Sequence, residues 1–353
     1  VEMLPKNYHQ KYFSKIRKGI PMLDIKLGEA IKEIKKQGAK TVLVQLPEGL
    51  KQHTTKIIEG LSTTGTQVFA SMDPVFGSCD LALDKMRLLQ ADLLIHLGHA
   101  PIHRPKNVVH IPVFDKISDK TFNSLVKQLE QELRKKKFKT IGLCTHSQFI
   151  YLLEKTKKAL EQKGFEVKIG KGTPRIAFEG QVLGCNYTTI TSIEKKIDAT
   201  VYIGEGYFHP LGIVFSTKKT VLFADTSREK VFDISKESEK YQRKRFAAIA
   251  LAMEAKKFGI LVSTKSGQRY KEVALHCKKI IEEKGKKAFL FAMDLVREDY
   301  MAGVDVDCFV NTACTRIVGD DAEHWKKPII NPLELEIVLG NKKWEEFTFD
   351  ALE

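Results

Sequence analysis

Thr41-Val42-Leu43-Val44-Gln45-Leu46, Thr140-Ile141-Gly142-Leu143-Cys144 and Phe258-Gly259-Ile260-Leu261-Val262 are three short apolar runs in a chain of 353 residues. Runs of this length without strict alternation read as strands covered on both faces. Each follows an amphipathic, lysine-rich helical segment and ends in a polar loop: Pro47-Glu48-Gly49-Leu50, Thr145-His146-Ser147-Gln148 and Ser263-Thr264-Lys265-Ser266-Gly267-Gln268. The pattern predicts a helix after each loop, at about 50–63, 147–163 and 267–284. The last two stop at Lys163-Gly164 and Lys284-Gly285, a basic last turn followed by glycine. A second strand follows in each (Gln67–Ala70, Glu166–Ile169, Lys287–Phe291), then a loop and a third strand (Asp92–Leu97, Asp198–Ile203, Asp307–Val310).

The same unit therefore occurs three times, with a period of roughly 105–120 residues. Strands alternating with helices of these lengths call for parallel sheets with flanking helices. The expected fold is α/β: three related domains around a pseudo-threefold centre, at 1–115, 116–228 and 229–353. A last helix is expected from Asn331-Pro332-Leu333-Glu334, where Asn caps and Pro suits the first turn. It reads as packing material.

Composition narrows the class. The hydrophobic share is 43%, enough for buried cores, and no apolar run reaches the roughly 18 residues of a membrane span. The first residues, Val1-Glu2-Met3-Leu4-Pro5-Lys6, lack a secretory pattern. A soluble, cytoplasmic protein with no membrane partner is expected. The net charge of +14 raises the question of nucleic acid. Its lysines fall mainly on expected helix faces, as in 51–56, 135–139 and 278–287, without a zinc-finger spacing or an aromatic RNA-binding strand. Solvation, or docking of an acidic protein, is the better reading, and no specific nucleic acid is expected.

Six cysteines are present, and in a large cytosolic chain they point to thiols or metal ligation rather than disulfides. Three of them occur once per repeat. Cys79 lies in Gly77-Ser78-Cys79-Asp80 and Cys185 in Leu183-Gly184-Cys185-Asn186, both between the second strand and a short helix. Cys314, in Asn311-Thr312-Ala313-Cys314-Thr315-Arg316, lies one loop later, after the third strand. All three loops leave the carboxyl ends of parallel strands, the edge where such sheets place ligands. Three thiolates meeting there suit an iron–sulfur cluster, with one iron left open for a substrate. The plain alternative for any single cysteine is a small buried hydrophobe. That reading is kept for Cys144, Cys277 and Cys308, least securely for Cys144 at its strand end.

Leu46-Pro47-Glu48-Gly49-Leu50, Ala91-Asp92-Leu93-Leu94-Ile95-His96-Leu97-Gly98-His99, Gly180-Gln181-Val182-Leu183-Gly184-Cys185-Asn186-Tyr187, Gly204-Glu205-Gly206-Tyr207-Phe208-His209-Pro210-Leu211-Gly212 and Ala313-Cys314-Thr315-Arg316 together resemble the archaeal 2-(3-amino-3-carboxypropyl)histidine synthases of diphthamide biosynthesis, from about residue 24 onward. The resemblance implies one 4Fe–4S cluster per chain, held by Cys79, Cys185 and Cys314. It implies S-adenosylmethionine as co-substrate, cleaved at its Cγ–S bond after one-electron reduction by an external donor. It also implies transfer of the 3-amino-3-carboxypropyl group to a histidine of translation elongation factor 2, and a homodimer. Thr315 stands where the family leads one to expect proline, and the first ~20 residues look like an unmatched extension. Candidates for contact with S-adenosylmethionine, all at expected strand ends, are Lys265, Gln268, Arg316, His209 and His99. Gln268, at a helix start, suits an anion. Arg316 suits the cluster or the protein substrate equally. The competing readings are a quinolinate synthase-like 4Fe–4S dehydratase and a non-catalytic, basic RNA-associated protein.

Overall fold

In the computed structural model, which describes residues 27–320 and 322–349, the three apolar runs are the inner strands of three separate sheets. The first sheet contains β1 (Thr41–Gln45), β2 (Gln67–Ser71), β3 (Leu93–Leu97) and β4 (Val108–Ile111), in spatial order β2-β1-β3-β4, all parallel. The second contains β5 (Thr140–Thr145), β6 (Glu166–Lys168), β7 (Ala199–Gly204), β8 (Thr220–Asp225) and β9 (Lys230–Asp233), in order β6-β5-β7-β8-β9. The third contains β10 (Lys257–Ser263), β11 (Lys287–Met293), β12 (Cys308–Asn311) and β13 (Ile329–Ile330), in order β11-β10-β12-β13. Among the described strands, only β9 runs antiparallel to its neighbour. The expected three strands per unit are thus joined by a fourth in every sheet, and by a fifth in the second.

Covering helices explain the unbroken apolar runs. Every residue of β3, Leu-Leu-Ile-His-Leu, is buried, as parallel strands with both faces packed must be. The helices Leu27–Gln37, Asp119–Lys135 and Ser235–Met253 precede the three sheets, as the lysine-rich segments predict. The second and third units share one apolar core, in which Tyr202 and Phe223 lie with Phe258 and Ile260; most of the first unit packs around its own.

Asp225 in β8 pairs with Lys230 in β9, so the second unit runs a few residues past the expected boundary at 228, through Asp233. One expectation is corrected. The helix expected from 267 begins at Lys271, because Gly267 and Gln268 are held elsewhere, as described below. The expected N-terminal extension lies outside the described residues. No helix among the described residues is long and apolar enough to cross a membrane.

One device repeats in all three units. An aspartate just before the third strand turns a carboxylate oxygen onto the first strand's opening N–H groups. Asp92 accepts from Lys40 and Thr41 at 2.8 Å each, Asp198 from Lys139 and Thr140 at 2.8 and 2.9 Å, and Asp307 from Lys256 and Lys257 at 2.8 Å each. These bonds favour the charged form and hold each carboxyl below the usual carboxylate range. A depressed native pKa stabilises the fold above the unfolded value, about 3.9, and that contribution disappears as pH falls through the native value. Urea melts between pH 6 and pH 3 should therefore show a shallower acid-side loss in an Asp92→Asn, Asp198→Asn, Asp307→Asn variant than in the parent. An unchanged slope would remove the aspartates from the acid limb.

Candidate functional site

The three repeat cysteines come from loops at the carboxyl ends of the strands. Cys79 lies between β2 and the helix Leu83–Leu88, Cys185 between β6 and the helix Thr188–Thr191, and Cys314 between β12 and the helix Arg316–Asp320. The fold brings them together. Each pair of thiols is close enough for one sulfur's charge to raise the other's pKa, Cys79 with Cys185 and both with Cys314. Burial is the larger cause in each case: it pushes Cys79 up to about 11 and Cys314 to about 12, and it raises Cys185 as well. Three half-buried, mutually repelling thiols are stable as thiolates only around a positive group.

Neighbouring units stitch this centre together. Gly267 of the third unit donates its N–H to the Cys79 carbonyl at 2.7 Å. A Cβ at Gly267 would come within 2.6 Å of the Cys79 Cα, so only glycine allows this approach. The next residue, Gln268, donates its amide N–H to the Cys79 sulfur at 3.3 Å. Arg175 lies with its Nη2 3.9 Å from the Cys185 sulfur. Thr315 donates its hydroxyl to the Gly184 carbonyl at 3.1 Å, joining the Cys314 loop to the Cys185 loop. A proline at 315 has no such donor.

The five side chains proposed for S-adenosylmethionine fall on three different seams. Lys265 and Gln268 sit between the third and first units. The Lys265 ammonium pairs with Asp80 at 2.8 Å, both side chains 8% exposed, and lies 3.6 Å from Asp294. Burial raises the Asp80 carboxyl and the ammonium pulls it back. Lys265 thus has carboxylate partners and Gln268 a sulfur partner within the chain. Arg316 and His209 sit between the third and second units. His209 stacks on His146 at 5.3 Å between ring centroids, and His146 Nδ1 lies 2.6 Å from the Tyr202 hydroxyl. Burial, then the Arg316 charge, pushes His146 down to about 4; burial, His146 and Arg316 put His209 well below its ordinary value. Arg316 lies over the Phe208 ring at 5.4 Å. His99 lines a cavity between the first and second units and bonds to His96 at 2.9 Å.

The family model for diphthamide synthesis proteins matches residues 46–348. The chain belongs to this family. It is 37% identical to the 2-(3-amino-3-carboxypropyl)histidine synthase of Pyrococcus horikoshii, over 93% of this chain and 94% of that protein. It is 29% identical to the synthase of the same name from Methanocaldococcus jannaschii, over 97% of each. The crystal structure of Dph2 from Pyrococcus horikoshii with a 4Fe–4S cluster superposes with a TM-score of 0.86, covering 94% of both chains. The membership decides against a quinolinate synthase-like dehydratase.

Within this family frame, the donor set fits a cluster. Three thiols from three loops, each near enough to raise another's pKa, suit a 4Fe–4S cube, which binds each thiolate on a different iron. The remaining cysteines stand in the packing, as expected. Cys144, Cys277 and Cys308 are fully buried, and Cys144 lies within the apolar core, its sulfur 3.8 Å from the Val201 carbonyl.

Sequence reasoning missed the supports. The closing helix, Pro332–Val338, is capped by Asn331 and Glu334 as its residues promise, but the cap does more than end a helix. Asn311 donates to both the Asn331 side chain and the Cys314 carbonyl, at 3.0 Å each. Glu334 accepts the Asn331 N–H at 2.8 Å and both arms of Arg245 at 2.7 Å. The Cys314 loop thus hangs from a buried ion pair. The residues Asn331-Pro332-Leu333-Glu334 signal the cap; nothing in the spacing signals Arg245 or Asn311.

Proposed function

We propose that this chain is a 2-(3-amino-3-carboxypropyl)histidine synthase. It transfers the 3-amino-3-carboxypropyl group of S-adenosylmethionine to a histidine of translation elongation factor 2 and leaves methylthioadenosine. The observation that carries the reading is the meeting of Cys79, Cys185 and Cys314, one from each repeat, with N–H donors on two of the sulfurs. These thiolates would hold a 4Fe–4S cluster, which supplies one electron for cleaving the sulfonium's Cγ–S bond and keeps one iron without a protein ligand.

The chain's own residues bind, orient and exclude water. Gln268 and Arg175 direct N–H groups at the sulfurs and favour their charged form. The Lys265–Asp80 pair fixes the seam beside Cys79. His146 and His209, held neutral, do not repel a cationic sulfonium. Arg316, exposed at the rim beside Cys314, suits a carboxylate of either the co-substrate or the protein substrate. The +14 charge favours encounter with an acidic elongation factor. A homodimer, an external one-electron donor and a cytoplasmic setting complete the reading.

Incubation of anaerobically purified, reduced protein with S-adenosylmethionine and elongation factor 2 should yield methylthioadenosine and a modified histidine. Failure to form methylthioadenosine by a preparation that contains the cluster would overturn the assignment. A non-catalytic RNA-associated protein would instead show salt-dependent RNA binding that survives replacement of all three cysteines.

A further inference from the structure

Each of the three repeat sulfurs faces an N–H donor, and the donors differ in kind. The Cys314 sulfur takes the main-chain N–H of Arg316. The other two take side chains. Gln268 of the third unit reaches Cys79 of the first at 3.3 Å, and Arg175 lies with its Nη2 3.9 Å from Cys185 within the second. Gln268 is only 5% exposed, so its amide is turned onto sulfur in a site largely closed to water. A leucine would fill the same space without the N–H; packing alone does not call for an amide there.

The two side-chain donors are tied to one another. Gln268 closes a turn in which its main-chain N–H bonds the Lys265 carbonyl at 3.1 Å. That turn is fastened to the Cys79 loop by the Gly267 N–H on the Cys79 carbonyl at 2.7 Å and by the Lys265 ammonium on Asp80 at 2.8 Å. Two residues on, Tyr270 donates its hydroxyl to the Gly267 carbonyl at 3.2 Å and accepts from the Arg175 side chain. A phenol both donates and accepts, so the two bonds are made together. The charges of Cys185 and Cys79 both act on this hydroxyl, so it stands near both sulfurs. An unbroken path from Cys79 through Gly267, Tyr270 and Arg175 to Cys185 therefore crosses all three units.

An N–H aimed at a ligand sulfur stabilises negative charge on it. Reduction adds one negative charge to the group that these sulfurs would hold. The donor therefore favours the reduced form over the oxidised one and raises the reduction potential. We propose that Gln268 and Arg175, the latter oriented by Tyr270, set the reduction potential of this centre and bring it within reach of the external electron donor. Gln268 and Arg175 act on the sulfurs; Tyr270 is a positioning residue. The electron comes from the external donor, and the three side chains neither gain nor lose an electron or a proton. The proposal rests on the reading above only for the cluster itself.

The test is an anaerobic, dye-mediated redox titration of the full cluster-bearing chain without S-adenosylmethionine, read by absorbance and electron paramagnetic resonance. Gln268→Leu should make reduction about tenfold less favourable, a fall of about 59 mV for a one-electron couple. Arg175→Leu should lower the potential at least as far, because a positive charge leaves with the N–H. Tyr270→Phe should lower it in the parent and add nothing in Arg175→Leu, through which it acts. A purely structural role would reduce iron content or stability and leave the potential of the remaining cluster where it was. An unmoved or raised potential in Gln268→Leu or Arg175→Leu overturns the proposal. So does loss of the cluster from both, which would assign them to assembly; loss from one leaves the other variant to decide. A Tyr270→Phe shift that persists in full in Arg175→Leu overturns the positioning role. A preparation that forms methylthioadenosine while these potentials stay unmoved refutes the potential-setting role and leaves the proposed reaction standing. One whose potentials fall as stated but which never forms methylthioadenosine does the reverse.

Discussion

Single replacement of Cys79, Cys185 or Cys314 by alanine should strip the anaerobically purified protein of most of its iron, acid-labile sulfide and brown absorbance, whereas Cys277→Ala should keep all three. The physical contrast is sharp. The first three sulfurs raise one another's pKa and lie partly exposed at the meeting of three loops. Cys277 is fully buried in a helix, within the shared apolar core. Loss of a supporting partner costs a metal site about 10- to 100-fold in affinity, and loss of a ligand from a three-ligand set should cost more. Far-ultraviolet circular dichroism of the same samples separates cluster loss from unfolding. Equal iron in all four variants would refute the ligand assignment.

The meeting of these three cysteines was legible because each has a glycine or alanine within two residues, in a loop at a strand's carboxyl end, once per repeat. The sheets were legible for a related reason: strands such as Leu93–Leu97 are buried on both faces and leave an unbroken apolar trace. The outer strands were not. Ile329–Ile330 is two residues long, and Val108–Ile111 is only partly buried and contains a histidine. Neither length nor periodicity distinguishes such segments from loop. His96 shows the limit best. Inside Leu-Leu-Ile-His-Leu it reads as a tolerated core histidine, and only the fold reveals Gln45 on one ring nitrogen and His99 on the other. For Gln268, a polar residue at a helix start suggests an anion; local sequence does not signal its contact with the sulfur of Cys79 in another unit, and the helix itself begins at Lys271. The repeated aspartates Asp92, Asp198 and Asp307 were visible as the first residue of each third strand, yet their bonds to the first strand are set by pairing register rather than local spacing.

Glu334→Ala should destabilise the protein by about 3–5 kcal/mol, the cost of leaving a buried charge without its partner, a large share of the roughly 5–15 kcal/mol that separates folded from unfolded chains. Arg245 and Glu334 are 3% and 4% exposed as side chains, and the guanidinium also donates to the Ile329 carbonyl at 2.8 Å. With the carboxylate gone, Arg245 keeps its desolvation cost and loses two charge-assisted bonds. The Asn331 N–H loses its acceptor as well. An Arg245→Met, Glu334→Leu variant should lose distinctly less than the sum of the single variants, because the two side chains act as a unit; urea midpoints measure this, and strict additivity would refute it. The consequence reaches the metal centre. Asn331 receives Asn311, and Asn311 holds the Cys314 carbonyl. If the capping pair positions that loop, the Glu334→Ala protein that remains folded should also retain less iron per chain than the parent. Full iron retention in that folded fraction would confine the pair to stability and leave the Cys314 loop held by Thr315 and its own turn.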